Sequence, residues 1–216
     1  VYESRVNAGR ILAKTHPVEA DLVVGVPESG NPAALGYSME SGIPYGNAFI
    51  KNNYVGRTFI KPKQSQRESS VKIKLNVIEE VVKGKRIVMV DDSIVRGTQL
   101  RETTEFLYRN GAKEVHIRPA CPPLLYGCKY LNFSRSKSEM DLITRRVIAK
   151  REGENVSDKV LADYADPNST NYKEMLEEIR KELNFTSLKF HRLDDLKASI
   201  GISPCKLCTY CWDGKE

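Results

Sequence analysis

The sequence predicts an α/β fold built on a doubly wound, mostly parallel sheet with helices on both faces. Two runs rich in Val and Ile, residues 21–26 and 86–91, are typical of strands that are covered on both faces. Each run is followed by a loop of small residues and then by a helical pattern of apolar residues. This repeated strand–loop–helix order favours parallel strands, whose ligands bind beyond the carboxyl ends of the strands.

The other elements follow from local patterns. Apolar residues along one face predict a helix over Tyr2–Thr15, and helical patterns follow the two strands at residues 31–40 and 99–110. Residues 114–120 form a predicted third strand and residues 45–50 a predicted fourth. A late amphipathic helix is indicated by five spaced apolar residues: Tyr172, Met175, Leu176, Ile179 and Leu183.

A chain of 216 residues suits one α/β domain with an appendage. We expect a core over residues 1–149, within which the polar and basic stretch 51–76 is a mobile lid. Residues 150–171 are polar and predict a surface insertion, and residues 172–216 are expected to hold C-terminal helices and a cysteine-bearing tail. The first helix starts abruptly at the beginning of the chain, so we expect that another segment preceded it.

The composition is that of a globular protein, with 40% hydrophobic and 29% charged residues and a net charge of +6. Much of the positive charge lies in residues 51–74, beside predicted phosphate-binding loops, so a small polyanionic substrate is favoured over nucleic acid. No apolar run is long enough to span a bilayer, and the N-terminus lacks the pattern of a signal peptide. We therefore expect a cytoplasmic protein that binds neither membrane nor nucleic acid.

The clearest candidate site is VMVDDSIVRGTQL, residues 88–100. Asp91 and Asp92 end a buried strand, where paired carboxylates can accept hydrogen bonds from vicinal ribose hydroxyls and attract a hydrated Mg²⁺. The loop behind them can wrap a phosphate with backbone N–H groups at a helix N-terminus. Its residues are Ser93, Ile94, Val95, Arg96, Gly97 and Thr98. An Asp-Asp pair alone can equally well end a strand and cap a helix. The complete motif of residues 88–100 predicts a ribose 5-phosphate site.

VDDSIVRGT, residues 90–98, matches the phosphoribosyl pyrophosphate (PRPP) signature of type I phosphoribosyltransferases. Its exact sequence resembles that of amidophosphoribosyltransferases in particular. Residues 24–37 resemble the pyrophosphate loop of that family, although alone they would indicate only a strand-to-helix turn. Residues 51–76 resemble its flexible loop. A charge run is usually a solvated face, but this one also carries Tyr54 and Phe59, which suits a loop that closes over a ligand.

The resemblance implies a type I phosphoribosyltransferase fold and a reaction in which ammonia displaces pyrophosphate from PRPP. The pyrophosphate loop would bind substrate through Glu28, Ser29 and Gly30, and Mg²⁺ would be held by Ser29, Asp91 and Asp92. Closure of the lid would exclude water, which would otherwise hydrolyse PRPP. The candidate catalytic residues lie at the lid: Lys51, Tyr54, Arg57, Lys72 and Lys74.

Members of that family carry an N-terminal glutaminase domain that supplies ammonia and catalyse the first committed step of purine biosynthesis. The sequence contains no such domain. We therefore expect an excised domain, or one chain of a processed protein, that uses free ammonia by itself. We also expect a homo-oligomer.

The five cysteines indicate thiols or metal ligands rather than disulfides, and the tail motif CKLCTYC suits zinc or an iron–sulfur cluster. One branch of the resembled family holds a structural [4Fe–4S] cluster, and Cys128, Cys205 and Cys208 match three of its ligands. The fourth ligand would lie upstream of Val1, so the cluster is expected in the full-length enzyme and can be absent from this fragment. Cys121 and Cys211 are expected to be ordinary thiols, although Cys211 can substitute as a ligand.

Two alternatives remain open from sequence. A salvage phosphoribosyltransferase for a purine or pyrimidine base would share Asp91, Asp92 and the phosphate loop. It would need neither the particular sequence of residues 51–75 nor the CxxC tail. A PRPP-sensing regulatory module would bind ligand without catalysis, and the positive charge would suit action on nucleic acid. The lid residues disfavour this module, because a sensor has little use for water exclusion.

Overall fold

The computed structural model describes residues 1–51, 75–130 and 139–215. Its strands, numbered in chain order, are β1 (Leu22–Gly25), β2 (Phe49–Lys51), β3 (Leu75–Val77), β4 (Arg86–Asp91), β5 (Glu114–Pro119) and β6 (Ser187–Leu188). The central sheet has the order β1-β4-β5-β6, and every neighbouring pair is parallel. β2 and β3 form a separate antiparallel pair. The predicted parallel sheet, with β4 inside it, is thus confirmed.

The helices frame this sheet. They are α1 (Tyr2–Thr15), α2 (Asn31–Ser41), α3 (Glu79–Val82), α4 (Thr98–Arg109), α5 (Ile143–Glu152), α6 (Asp158–Ala165), α7 (Thr170–Glu182), α8 (Leu193–Ile200) and α9 (Tyr210–Asp213). Short 3₁₀ turns lie at Glu139–Asp141 and Pro204–Lys206. The predicted helices over residues 2–15, 31–40 and 99–110 and the amphipathic helix are confirmed. Among the described residues, no helix has the length and apolar character needed to cross a membrane.

Both faces of the sheet are buried, as the apolar strands predict. Along β4, Ile87 and Met89 belong to one apolar cluster, with α4, α5 and α7, whereas Val88 and Val90 belong to a second cluster, with α1 and α2. Side chains alternate between the faces of a strand, so a strand that is apolar at every position must be covered twice. The doubly wound arrangement follows.

The predicted strand at residues 45–50 is wrong as a member of the central sheet. Tyr45 makes only an isolated parallel bridge to Val23, and the chain then leaves the sheet before Phe49 enters the β2–β3 pair. The fourth strand of the central sheet is instead β6, which pairs with β5 through Ser187 and Leu188. A strand of two residues has no recognisable periodicity, so tertiary pairing alone defines it.

The segment 150–171, predicted as a surface insertion, is mostly exposed or half-buried, but it contributes two side chains to the core. It contains the end of α5 and all of α6, and Leu161 and Tyr164 are 2% and 0% exposed. The Tyr164 hydroxyl accepts a hydrogen bond from Arg151 Nε at 2.9 Å. Polar residues dominate this stretch because only one face of α6 is buried. The C-terminal region is likewise continuous with the core, since β6 completes the sheet.

Helices α1 and α2 cross in direct backbone contact at two glycines. A Cβ on Gly9 would lie 1.8 Å from the Ala33 carbonyl oxygen, and a Cβ on Gly36 would lie 1.9 Å from the Val6 carbonyl oxygen. Only hydrogen in place of a side chain permits this approach. The crossing fixes α2, and therefore the loop that precedes it, against the first helix.

A pH-dependent contribution to stability is expected from His16, whose pKa is lowered from 6.5 to about 4 by burial and then by the charges of Arg118, Arg192 and Lys189. The unfolded chain takes up this proton near pH 6.5, but the folded protein does so only near pH 4, so the residue reduces stability as pH falls between these values. Urea unfolding should therefore show that His16→Gln gains stability relative to the unmodified chain when pH falls from 7 to 5. If the difference in unfolding free energy between the two proteins were the same at pH 7 and pH 5, the burial of a neutral His16 ring would be contradicted.

Candidate active site

The candidate site begins at the carboxyl end of β4, where the sequence places its two aspartates. Asp91 is buried, with 8% exposure, and Asp92 is half-buried. The Asp92 backbone N–H donates to Asp91 Oδ1 at 2.8 Å, and Ser93 Oγ donates to Asp92 Oδ1 at 3.2 Å. Burial, and then the charge of Asp92, raise the pKa of Asp91 to about 8. Hydroxyl donors or a cation at this position would offset the cost of holding two carboxylates together.

The loop after the aspartates presents unused backbone donors. Among the described residues, none of the N–H groups from Ser93 to Thr98 donates to a protein acceptor. Gly97 adopts φ 79° and α4 begins at Thr98, so these donors precede a helix N-terminus, where the helix dipole favours an anion. The predicted phosphate loop therefore has the geometry of an anion cradle.

A second layer, which sequence reasoning missed, holds this loop in place. The Ile143 N–H donates to the Val95 carbonyl at 2.8 Å, and an Arg146 guanidinium nitrogen donates to the Arg96 carbonyl at 2.9 Å. Arg96 also pairs with Asp141 at 3.2 Å. These residues follow the loop by more than 40 positions, so no local pattern connects them to it.

Alanine at Gly97 should disable the cradle. A non-glycine residue at positive φ costs about 1–3 kcal/mol, and here a Cβ would also lie 2.7 Å from Ile143 Cδ1. We expect Gly97→Ala to weaken PRPP binding at least tenfold in calorimetry. Gly201→Ala is the matched control, because Gly201 has φ 74° with nothing within 4 Å of its added Cβ, and its PRPP affinity should be unchanged. Equal affinities in both variants would contradict the role of Gly97.

The predicted pyrophosphate loop lies directly beside the aspartates. The Val26 N–H donates to the Val90 carbonyl at 2.9 Å, and a Cβ on Gly30 would lie 2.5 Å from that same oxygen. Within the described chain, the N–H groups of Glu28 and Ser29 have no protein acceptor. The fold thus joins two loops with free donors, separated by about 60 residues in sequence, at one edge of the sheet.

Lys51, at the end of β2, is brought to the same loop. Its Nζ lies 2.9 Å from Glu28 Oε1, and the Glu28 side chain is 71% exposed. An ion pair this exposed is weak, so Lys51 can exchange Glu28 for a ligand oxygen at little cost. The other predicted lid residues, Tyr54, Arg57, Lys72 and Lys74, lie outside the described residues, as does most of the predicted lid.

The residues at this edge suit a divalent cation. Asp91 and Asp92 offer carboxylate oxygens and Ser29 a hydroxyl, which are the hard donors that Mg²⁺ prefers. Burial and the charge of Asp92 raise the pKa of Asp91, and a cation bound here would oppose both effects. The donor set therefore fits Mg²⁺.

The cluster predicted at Cys128, Cys205 and Cys208 stays a prediction. Within residues 1–51, 75–130 and 139–215, no group of three or more His, Cys, Asp or Glu is arranged to hold a metal. Cys205 and Cys208 are exposed, and Cys128 is instead hydrogen-bonded to Cys211. Burial, and then Cys128, raise the pKa of Cys211 to about 11. Cys211, which the sequence offered only as a substitute ligand, thus lies beside the predicted ligand Cys128.

Comparisons with known proteins identify the family and the fold. The model of the phosphoribosyl transferase domain family matches residues 6–121. The amidophosphoribosyltransferase of Mycobacterium bovis is 43% identical over 216 residues, all of this chain and 36% of that relative. Its counterpart from Methanothermobacter thermautotrophicus is 42% identical over 99% of this chain and 39% of its own length. The chain thus spans little more than a third of these relatives.

A solved structure with a similar fold is glutamine PRPP amidotransferase from B. subtilis complexed with ADP and GMP. The TM-score is 0.75 and the identity 39%, over 99% of this chain and 42% of that chain. This similarity confirms the type I phosphoribosyltransferase fold. With a family match over more than half of its length, this chain belongs to the phosphoribosyl transferase domain family.

Proposed function

We propose that this chain is the phosphoribosyltransferase domain of an amidophosphoribosyltransferase, which forms 5-phosphoribosylamine and pyrophosphate from PRPP and ammonia at the start of purine biosynthesis. The observation that carries the proposal is the row of unpartnered N–H groups at residues 93–98, directly behind Asp91 and Asp92. The identities of 42–43% to amidophosphoribosyltransferases support the choice of ammonia as acceptor.

Each part of PRPP has a counterpart in the site. Residues 93–98 would bind the 5-phosphate, and Asp91 and Asp92 would accept hydrogen bonds from the two ribose hydroxyls. The N–H groups of Glu28 and Ser29 would bind the diphosphate. Magnesium, held by Ser29, Asp91 and Asp92, would supply positive charge that neutralises the leaving diphosphate.

The reaction needs charge stabilisation more than a strong base. The C1–oxygen bond breaks with its electron pair on pyrophosphate, and the ribosyl group carries positive charge as ammonia approaches. Asp91 and Asp92 keep the sugar in position, while Lys51 would leave Glu28 and bind a pyrophosphate oxygen. The role of Tyr54, Arg57, Lys72 and Lys74 in gripping pyrophosphate and excluding water stays a prediction.

The whole protein is expected to contain more than this domain. Because the chain spans 36% of the relative from M. bovis, a glutaminase domain that supplies ammonia is part of the proposal rather than of the described chain. The [4Fe–4S] cluster, a homo-oligomeric state and a cytoplasmic location also stay predictions.

The decisive measurement is pyrophosphate release from PRPP and Mg²⁺ by this chain, with and without ammonium at pH 8. We expect release that increases with ammonia concentration and yields phosphoribosylamine. Release only with an added purine or pyrimidine base would indicate a salvage enzyme instead, and PRPP binding without turnover under any condition would indicate a sensor. Either result would reject the proposed activity.

A further inference from the structure

A second pocket, remote in sequence from the substrate loops, lies at the β6 edge of the central sheet. It has a volume of about 260 Å³ and is formed by His16, one face of α7 between residues 172 and 180, and the segment 188–192 that continues from β6. None of its lining residues belongs to the loops at 26–30 or 91–98. The proposed phosphoribosyl transfer does not involve this pocket.

The pocket carries an excess of positive charge. Lys173, Lys189 and Arg192 are exposed at its wall, whereas its carboxylate, Glu177, is already paired with Arg180 at 2.7 Å. Within the described chain, no carboxylate lies within ion-pair distance of Lys189 or Arg192. A concave surface lined by charges of one sign raises the local concentration of counter-ions, here of anions.

A larger pocket of the described chain provides the contrast. Its volume is about 550 Å³, and it lies between α1, α2 and the start of β4. Its cations are matched by acids, since Lys14 lies 3.3 Å from Glu40 and Arg86 lies 2.8 Å from Asp21. Unpaired charge therefore distinguishes the pocket at the β6 edge from this larger pocket.

The floor of the β6-edge pocket is apolar. It is formed by four buried residues: Tyr172, Leu176, Leu188 and Phe190. An inorganic anion would use only the cationic wall, whereas a molecule with an organic part would also cover this floor. Pockets for small molecules commonly combine an apolar lining with a few convergent polar groups.

The pKa of the His16 ring responds to the unpaired positive charges at this pocket. Its pKa is lowered to about 4 by burial, and then by Arg118, Arg192, Lys189 and His191. Most of these groups repel a proton through their positive charge. A bound anion would oppose that repulsion, so the ring provides a direct readout of occupancy.

We propose that the β6-edge pocket binds a small phosphate monoester, with its phosphate among Lys173, Lys189 and Arg192 and its organic part on the apolar floor. Phosphate suits Lys and Arg because charge-assisted hydrogen bonds to a dianion are the strongest that exposed side chains form. This site is additional to the proposed catalytic site, and its test does not depend on turnover.

The test uses the ¹⁵N-labelled chain and phenyl phosphate as the probe, with inorganic phosphate and phenol as comparisons. We expect phenyl phosphate to shift the amide signals of residues 172–173 and 188–192 and to bind more tightly than inorganic phosphate, while phenol has no effect. Shifts confined to residues 26–30 and 93–98 would show that phosphate binds the catalytic loops alone, which would overturn the proposal.

A charge-matched pair of variants completes the test. Lys189→Ala/Arg192→Ala should weaken phenyl phosphate binding at residues 188–192 by about tenfold or more, since each removed cation would donate a charge-assisted hydrogen bond. Lys113→Ala/Lys159→Ala removes the same charge from exposed positions outside the pocket and should leave binding unchanged. Equal weakening in both would show general attraction to a positive protein and reject the site.

Occupancy should also change the titration of His16. With sulfate, which does not titrate between pH 3 and 8, the pKa of the ring should rise from about 4 in the NMR titration of the unmodified chain. The rise should be absent from Lys189→Ala/Arg192→Ala. A ring whose titration ignores sulfate at concentrations that shift the signals of residues 188–192 would place the anion elsewhere.

Discussion

The double variant Asp91→Asn/Asp92→Asn should lose PRPP binding by about a hundredfold or more, because each carboxylate contributes a hydrogen bond to a ribose hydroxyl worth about 1.5–3 kcal/mol. The stability of the folded protein should not fall in this variant. The pKa of Asp91 is raised to about 8 by burial and by Asp92, so the two carboxylates are held together at a cost in the free protein. Amides of the same shape remove that repulsion.

Calorimetry with PRPP and Mg²⁺, together with thermal unfolding at pH 8, checks both statements. Glu154→Gln/Asp194→Asn removes two carboxylates from exposed positions and should leave PRPP affinity intact. Loss of binding together with an unchanged or raised melting temperature supports the site. Undiminished PRPP affinity in the Asp91/Asp92 variant would refute the assignment of the substrate site.

The second large effect is expected at the α1–α2 crossing. Gly9→Ala and Gly36→Ala each force a methyl group into a backbone carbonyl, at 1.8 Å and 1.9 Å from the oxygen. Overpacking typically costs about 1–3 kcal/mol, and backbone cannot rotate away as a side chain can. We expect each variant to lose about 2 kcal/mol or more, although alanine has the higher helix propensity by about 1 kcal/mol.

Thermal unfolding should show a fall of about 2–4 °C for each kcal/mol lost in a chain of this size. PRPP affinity should fall as well, because α2 carries the loop with Glu28 and Ser29. Asn7→Ala, at an exposed position of α1, is the control and should be neutral or slightly stabilising. If either glycine variant matched this control, the helices would be further apart than described.

Local patterns were sufficient for several elements of the fold. Nearly continuous apolar runs determined β1 and β4, since strands buried on both faces are dominated by apolar residues. Spaced apolar residues likewise determined α1, α2, α4 and α7. The β6 strand and the burial of Tyr164 were not predictable, because their partners are distant in sequence and the segments themselves are short or polar.

Sequence by itself determined the chemistry of the site: two acids at the end of a strand, and a small-residue loop opening a helix. Tertiary structure alone decided what supports and surrounds it, including the contacts of Ile143 and Arg146 with the phosphate loop and the unpaired charges of Lys189 and Arg192. The reason is physical. A strand end and its loop are specified by neighbouring residues, whereas packing and charge compensation depend on which distant segments the fold brings together.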